Sequence, residues 1–243
     1  MGPVDAVILS GGKGTRLSPV LGGRPKVLAP VAGRPFLCWM LSWLHHLGVS
    51  HVVLCTGHGA DEVDSFLDDP AVRALGLEID CVRDPMPLGT GGALRNALPA
   101  TRSARLLALN GDSYCRFDSG ALIERHRATG ARATLLLTTE RDTSRFGSVE
   151  LDEAGWIRAF NEKGASREAG LINAGVYLLE RDAVESIPTR REISLEHEVF
   201  PGWIGHGLLG FVSEGPFIDI GTPQSYAEAS TRIDWNAIAG PVS

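Results

Sequence analysis

Apolar residues in this chain fall into short runs separated by longer amphipathic segments. Residues 4–9, 51–56, 77–82 and 105–109 read as buried strands, and the stretches between them have helical spacing. This is the βαβ rhythm of a mostly parallel sheet. The clearest helix is 35–47. Pro35 suits its first turn, Phe36, Leu37, Met40, Leu41, Leu44 and Leu47 make an apolar stripe, and Gly48 can close it. His45 and His46 end this helix, where the dipole favours them, and they need no metal role.

After Tyr114 the rhythm changes. A helix at 119–129 leads to a strand at 131–139. Strands at 148–151 and 156–160 then flank Asp152-Glu153-Ala154-Gly155, as a hairpin would. Residues 172–179 and 207–212 add strands, and 222–233 resembles a closing helix with Thr222 as cap and Pro223 at its first position. The expected architecture is one α/β domain over residues 1–243, with a second half that is mixed rather than purely parallel.

The first strand opens into Leu9-Ser10-Gly11-Gly12-Lys13-Gly14-Thr15-Arg16-Leu17, and Lys26 follows ten residues after Arg16. Gly11, Gly12 and Gly14 let backbone N–H groups approach an anion without Cβ interference, while Arg16 and Lys26 add fixed positive charge. The segment therefore reads as a triphosphate cradle. It has neither the Walker spacing nor Gly-x-Gly-x-x-Gly. Without the two cations, the glycines would simply turn the chain after its strand.

Asn110-Gly111-Asp112 closes the strand at 105–109, at the sheet end where open α/β folds bind ligands. Asp219 ends another apolar run, in Phe217-Ile218-Asp219-Ile220-Gly221-Thr222-Pro223. Two such carboxylates can share one Mg²⁺, a hard cation held by oxygen. Read structurally, Asp112 is a turn residue and Asp219 a cap. Glu162-Lys163 and Asn173 complete the set: Lys163 can neutralise a second phosphate, and Glu162 and Asn173 can bond sugar hydroxyls. Read structurally, Glu162-Lys163 is a solvated ion pair. Gly89-Thr90-Gly91-Gly92-Ala93 precedes a helix expected at 94–98, so its backbone can lie against a nucleoside or an anion.

Bulk properties narrow the partners. A net charge of −6 and a pI near 5.6 argue against nucleic acid and anionic membranes, leaving small-molecule anions bound by a local cation cluster. Cys38, Cys55, Cys81 and Cys115 lack metal or redox spacing and suit free thiols in a reducing cytoplasm. No signal-like or membrane-length apolar run is present, so the expectation is a soluble cytoplasmic protein.

Taken in order, these motifs resemble the sugar-1-phosphate nucleotidylyltransferase family along nearly the whole chain. The resemblance implies a Rossmann-like α/β/α sandwich with a mixed, mostly parallel central sheet and a small β-hairpin sugar-binding lobe. It implies a nucleotide-binding part over about 1–115 and a sugar-phosphate part over about 116–243. In that family the loop matching Leu9, Gly11, Gly12, Gly14 and Thr15 holds the nucleoside triphosphate, and the residues matching Arg16 and Lys26 contact its phosphates. The resemblance further implies nucleotide contacts at Asp84, Gly89 and Gly91, and Mg²⁺ at Asp112 and Asp219. Sugar-phosphate contacts fall to Asn110, Gly147, Glu162, Lys163 and Asn173.

Pro87–Ala93, Leu109–Tyr114 and Gly170–Tyr177 look most like D-glycero-D-manno-heptose 1-phosphate guanylyltransferases. The substrates implied are GTP and a heptose 1-phosphate, with catalysis by Arg16, Lys26 and Lys163. Mannose 1-phosphate with GTP, or an amino-sugar 1-phosphate with UTP, are the substrate alternatives. A non-catalytic nucleotide-sugar-binding regulator is the alternative of another class. Helix 35–47 and Trp203-Ile204 offer apolar surface for a homo-oligomer.

Overall fold

The structure is a computed structural model and describes residues 4–12, 14, 16–162, 164 and 168–239. Thirteen strands occur among the described residues. Up to the chain's midpoint they are β1 (Asp5–Leu9), β2 (Pro30–Val31), β3 (Arg34–Pro35), β4 (His51–Thr56), β5 (Glu78–Arg83), β6 (Arg105–Asn110) and β7 (Ser113–Cys115). Beyond it lie β8 (Ala133–Glu140), β9 (Ser148–Leu151), β10 (Ile157–Asn161), β11 (Gly170–Glu180), β12 (Leu208–Ser213) and β13 (Phe217–Asp219).

Seven strands form the central sheet in the order β12-β8-β11-β6-β1-β4-β5. Parallel pairs join β1 to β4 and β6, β4 to β5, and β8 to β12, whereas β11 runs antiparallel to both β6 and β8. One reversed strand in seven gives the mixed, mostly parallel sheet the sequence predicts. Both faces are covered, because alternate residues of the strands enter separate cores: Ala6 and Ile8 of β1 lie in one, and Val7 in the other. After β1 the chain builds outward through β4 and β5, then returns to lay β6 on β1's other side. The strand order reverses there, opening a ligand crevice at the carboxyl ends of β1 and β6.

The hairpin at 148–161 is present as β9 and β10, and its turn is fastened by Asp152, whose Oδ1 accepts from the N–H groups of Ala154 and Trp156 at 3.0 and 2.9 Å. The closing helix Pro223–Arg232 carries its Thr222 cap and Pro223 as expected, with Ser225 completing a reciprocal capping pair.

Three expectations change. Helix Phe36–His46 is buried from Phe36 through Leu44 rather than along one stripe. Helix Trp235–Ala239 explains this, since Trp235 packs at 5.8 Å from Phe36 and 5.5 Å from Trp39. Trp203 is likewise internal, stacked 4.6 Å from the Arg132 guanidinium. Neither element is the exposed apolar surface that an interface between copies would use. Third, the helix expected at 94–98 begins five residues earlier, as Gly89–Ala97. The carbonyl of Ile193 accepts from the N–H groups of Gly91 and Gly92 at 2.8 and 3.4 Å, which satisfies first-turn donors. A Cβ at Gly89 would come within 2.4 Å of that same oxygen, so the glycines are needed for this close approach.

His126 carries a pH prediction. Its ring nitrogens face Thr134 Oγ1 at 2.7 Å and Glu180 Oε1 at 3.2 Å, and burial pushes its pKa down despite the carboxylate. The unfolded chain, with an ordinary histidine near pKa 6.5, then binds the proton more readily than the fold does. Stability is fully present above about pH 6.5 and declines below it. Urea unfolding at pH 7.5 and pH 5.5 should show this loss, and His126→Gln should show a smaller one.

Candidate active site

The crevice is built first by the turn after β1. Ser10 anchors it by donating N–H and Oγ–H to the Cys55 carbonyl at 3.1 and 2.6 Å. Gly11 then runs against the neighbouring loop so closely that a Cβ on Gly57 would sit 2.8 Å from the Gly11 oxygen. Gly14, with φ +57°, folds the turn back onto Lys26, whose Cβ would be 3.4 Å from an added Cβ. The predicted glycine loop and Lys26 are therefore in contact. Arg16 is exposed beside them, while Lys13 and Thr15 lie outside the described residues.

Lys26 opens a 3-10 turn, Lys26–Leu28, and its Nζ forms an ion pair with Asp112 Oδ2; the lysine side chain is only 13% exposed. Asp112 follows Gly111, whose N–H donates to the Leu9 carbonyl at 2.9 Å and locks the end of β6 onto the end of β1. Strand β13 pairs with β7, and the Ile220 N–H donates to the Asp112 carbonyl at 2.9 Å, which brings Asp219 beside Asp112. Burial, then the charge of Asp112, push the Asp219 carboxyl above the usual carboxylate range against Lys26, the Gly221 N–H and Arg145. Arg145 Nη2 donates to Asp219 Oδ1 at 2.9 Å, and the Gly221 N–H donates to the same oxygen at 3.0 Å.

Two carboxylates whose charges repel, each within reach of a cation, form a site that an additional positive charge would relieve. Their oxygen donors match the demands of a hard divalent ion. Among the described residues, three metal-ligating groups also approach one another at His51, Glu78 and Asp80. That cluster lies at the start of β4 and β5, the opposite end of the sheet from Asp112.

Beside the carboxylates lies a cleft of about 630 Å³, lined by Leu9, Gly11, Gly12, Asp84, Gly89 and Thr90 among others. Asp84 closes β5, where burial pushes its carboxyl up and Asn96 Nδ2 donates to its Oδ1 at 3.2 Å. Gly91 stands behind this wall with its N–H committed to Ile193.

The remaining predicted residues fall beside the β9–β10 hairpin and on β11. Gly147, with φ +76°, lies against the backbone of Asn161 and Glu162, and Glu162 is exposed there. Lys163 lies outside the described residues. In β11 the register against β8 breaks between Asn173 and Tyr177. The break folds Asn173 back so that its Oδ1 accepts from the Gly175 N–H at 2.9 Å and its Nδ2 donates to the Tyr177 hydroxyl at 3.0 Å. Asn110 Nδ2 reaches the same hydroxyl at 3.4 Å. Three residues at the site escaped sequence reasoning: Arg145, Tyr177 and Glu196. Arg145 had a signal, its position two residues before Gly147. Tyr177 sits in an apolar run and reads as core.

Comparison with known proteins agrees with this geometry. Residues 5–235 match the family described as Nucleotidyl transferase. The mannose-1-phosphate guanylyltransferase of Mycobacterium tuberculosis is 39% identical over 233 residues, covering 95% of this chain but only 64% of that protein's length. The D-glycero-alpha-D-manno-heptose 1-phosphate guanylyltransferase of Aneurinibacillus thermoaerophilus is 32% identical over 231 residues, which are 95% of this chain and 98% of that one. The crystal structure of HddC from Yersinia pseudotuberculosis complexed with GMP-PN superposes with a TM-score of 0.82 at 33% identity, covering 93% of this chain and 98% of HddC. With its mixed seven-stranded sheet and its carboxylates at the β1/β6 crevice, the chain belongs to the nucleotidyl transferase family.

Proposed function

We propose that this chain transfers a guanylyl group from GTP to the 1-phosphate of a manno-configured sugar, D-glycero-D-manno-heptose 1-phosphate foremost, and releases pyrophosphate. The observation that carries the reaction class is the grouping of Lys26, Asp112, Asp219 and the glycine turn at one crevice beside the 630 Å³ cleft. The heptose reading is supported by near-complete mutual coverage with the Aneurinibacillus enzyme. Mannose 1-phosphate is the second reading, supported by the higher identity to the mycobacterial enzyme.

In this reading a phosphate oxygen of the sugar 1-phosphate attacks the α-phosphorus of GTP. A new P–O bond forms as the bond to the β-phosphate breaks, and pyrophosphate leaves. The attacking oxygen is already anionic at neutral pH, so no general base is required; the obstacle is the repulsion between two polyanions. The glycines Gly11, Gly12 and Gly14 and Arg16 hold the triphosphate, and Lys26 supplies a shielded positive charge beside it. Asp112 and Asp219 would hold Mg²⁺, whose chemistry here is neutralisation of phosphate charge. Arg145 keeps Asp219 oriented, while Asn110, Gly147, Glu162 and Asn173 bind the sugar and Lys163 its phosphate. The nucleotide-binding half is about 1–115, and the sugar-binding half is about 116–243. A regulator that merely bound a nucleotide sugar would have no use for two repelling carboxylates kept beside Lys26.

The test is pyrophosphate release over a grid of five nucleoside triphosphates and several sugar 1-phosphates. Turnover confined to GTP with heptose or mannose 1-phosphate is expected. Preference for UTP with an amino-sugar phosphate would overturn the substrate assignment, and no turnover in any combination would favour the regulatory reading.

A further inference from the structure

Tyr177 is fully buried beneath the two asparagines, and its hydroxyl also lies 3.2 Å from Glu196 Oε1. Glu196 belongs to a single π-helical turn, Leu195–Val199, an irregularity that recurs at functional sites. The other carboxylate oxygen, Oε2, is met by Thr90 Oγ1 at 2.8 Å and Ser194 Oγ at 3.0 Å. Both hydroxyls already accept a backbone N–H, Thr90 from Leu195 at 2.8 Å and Ser194 from His197 at 3.1 Å. Each hydroxyl gives its own proton to Glu196, which as a carboxylate receives and does not donate.

This fixes the direction of every hydrogen bond further along. A carboxylate only accepts, so the Tyr177 phenol gives its single proton to Glu196 and must accept from its other neighbours. Burial and the charge of Glu196 raise the phenol pKa well above its usual value, which keeps that proton in place. Asn173 and Asn110 therefore both turn their NH2 groups toward Tyr177. Asn173 commits its oxygen to Gly175. The Oδ1 of Asn110 is buried and has no hydrogen-bond partner among the described residues. An orphaned acceptor of this kind costs stability unless something donates to it.

We propose that Glu196 is a positioning residue: acting through Tyr177, it sets the orientation of the Asn110 carboxamide and so keeps Oδ1 unpaired as the acceptor for a ring hydroxyl of the sugar 1-phosphate. The inference rests on the reading of Asn110 and Asn173 as sugar contacts. It also ties the two halves of the site together, because Thr90, which holds Glu196, belongs to the helix that walls the nucleotide cleft.

Glu196→Gln keeps the shape and reverses the relay. With Thr90 and Ser194 donating as in the wild type, the amide oxygen faces them and the NH2 faces Tyr177. The phenol then donates to Asn110, which turns its oxygen to the phenol, because the Asn173 oxygen stays with Gly175. KM for the sugar 1-phosphate should rise about tenfold, the scale of one lost hydrogen bond, with KM for GTP unchanged. In a Tyr177→Phe background the same substitution should have no further effect. A purely structural Glu196 would instead raise both KM values and lower stability equally in both backgrounds, and that result would overturn the proposal.

A substrate-free readout separates this idea from the reaction assigned above. In ¹⁵N-labelled protein without ligand, one Asn110 side-chain N–H should be protected from exchange in the wild type and unprotected in Glu196→Gln. Protection that is identical in the two proteins would sink the relay even if the enzyme turns over heptose 1-phosphate. The expected change in a protein that uses no sugar 1-phosphate would uphold the relay and remove the reaction.

Discussion

Lys26→Ala is expected to lower guanylyl transfer about 100- to 1,000-fold, the scale of deleting one preorganised charge at an anionic transition state. Two effects act together. In the proposed reading the triphosphate loses a shielded cation, and the neighbouring carboxylates lose the charge that partly offsets their repulsion. With Lys26 gone, the Asp219 carboxyl moves further up, because burial and Asp112 are opposed by one cation fewer. The fold should survive, since Lys26 belongs to neither apolar core. Steady-state pyrophosphate release together with a thermal melt tests this. Turnover within tenfold of wild type would remove Lys26 from the chemistry.

Asp219→Asn is expected to be comparably severe in turnover and opposite in sign for stability. A folded-state pKa raised above the ordinary aspartate value means that the fold binds the proton more tightly than the unfolded chain does. The ionised carboxylate is therefore a burden at neutral pH, and one relieved only as pH falls through its raised pKa. An uncharged asparagine removes the repulsion and can still accept from Arg145 and the Gly221 N–H. The variant should thus melt at or above the wild-type temperature while losing about 100-fold or more in turnover. Chelation of the wild type should abolish activity, and added Mg²⁺ should restore it. A variant that is both less stable and still active would assign Asp219 to the scaffold instead.

Much of this site is legible in the sequence because its parts end apolar strands. Continuous hydrophobic runs identify β1, β4 and β6, and the motif following each run falls at the carboxyl end of the sheet, so Gly11, Asn110 and Asp112 converge as expected. The residues that hold those groups in place are harder to read. Tyr177 stands between Val176 and Leu178 and has the signature of core; only the broken register of β11 turns its hydroxyl to the asparagines. Glu196 sits among polar residues that resemble a solvated helix face, and its role depends on a π turn meeting Thr90 from more than a hundred residues away. The all-round burial of Phe36–Leu44 is hidden for the same reason, since the cover comes from Trp235 at the far end of the chain.

The most direct test of the account is a crystal structure with a non-hydrolysable GTP analogue, Mg²⁺ and heptose 1-phosphate bound together. The triphosphate is predicted to lie against Gly11, Gly12 and Gly14 within hydrogen-bonding distance of Lys26, with the metal held by Asp112 and Asp219 and the sugar over Asn110 and Asn173. Phosphates bound elsewhere, with the two aspartates still paired only to Lys26 and Arg145, would contradict it.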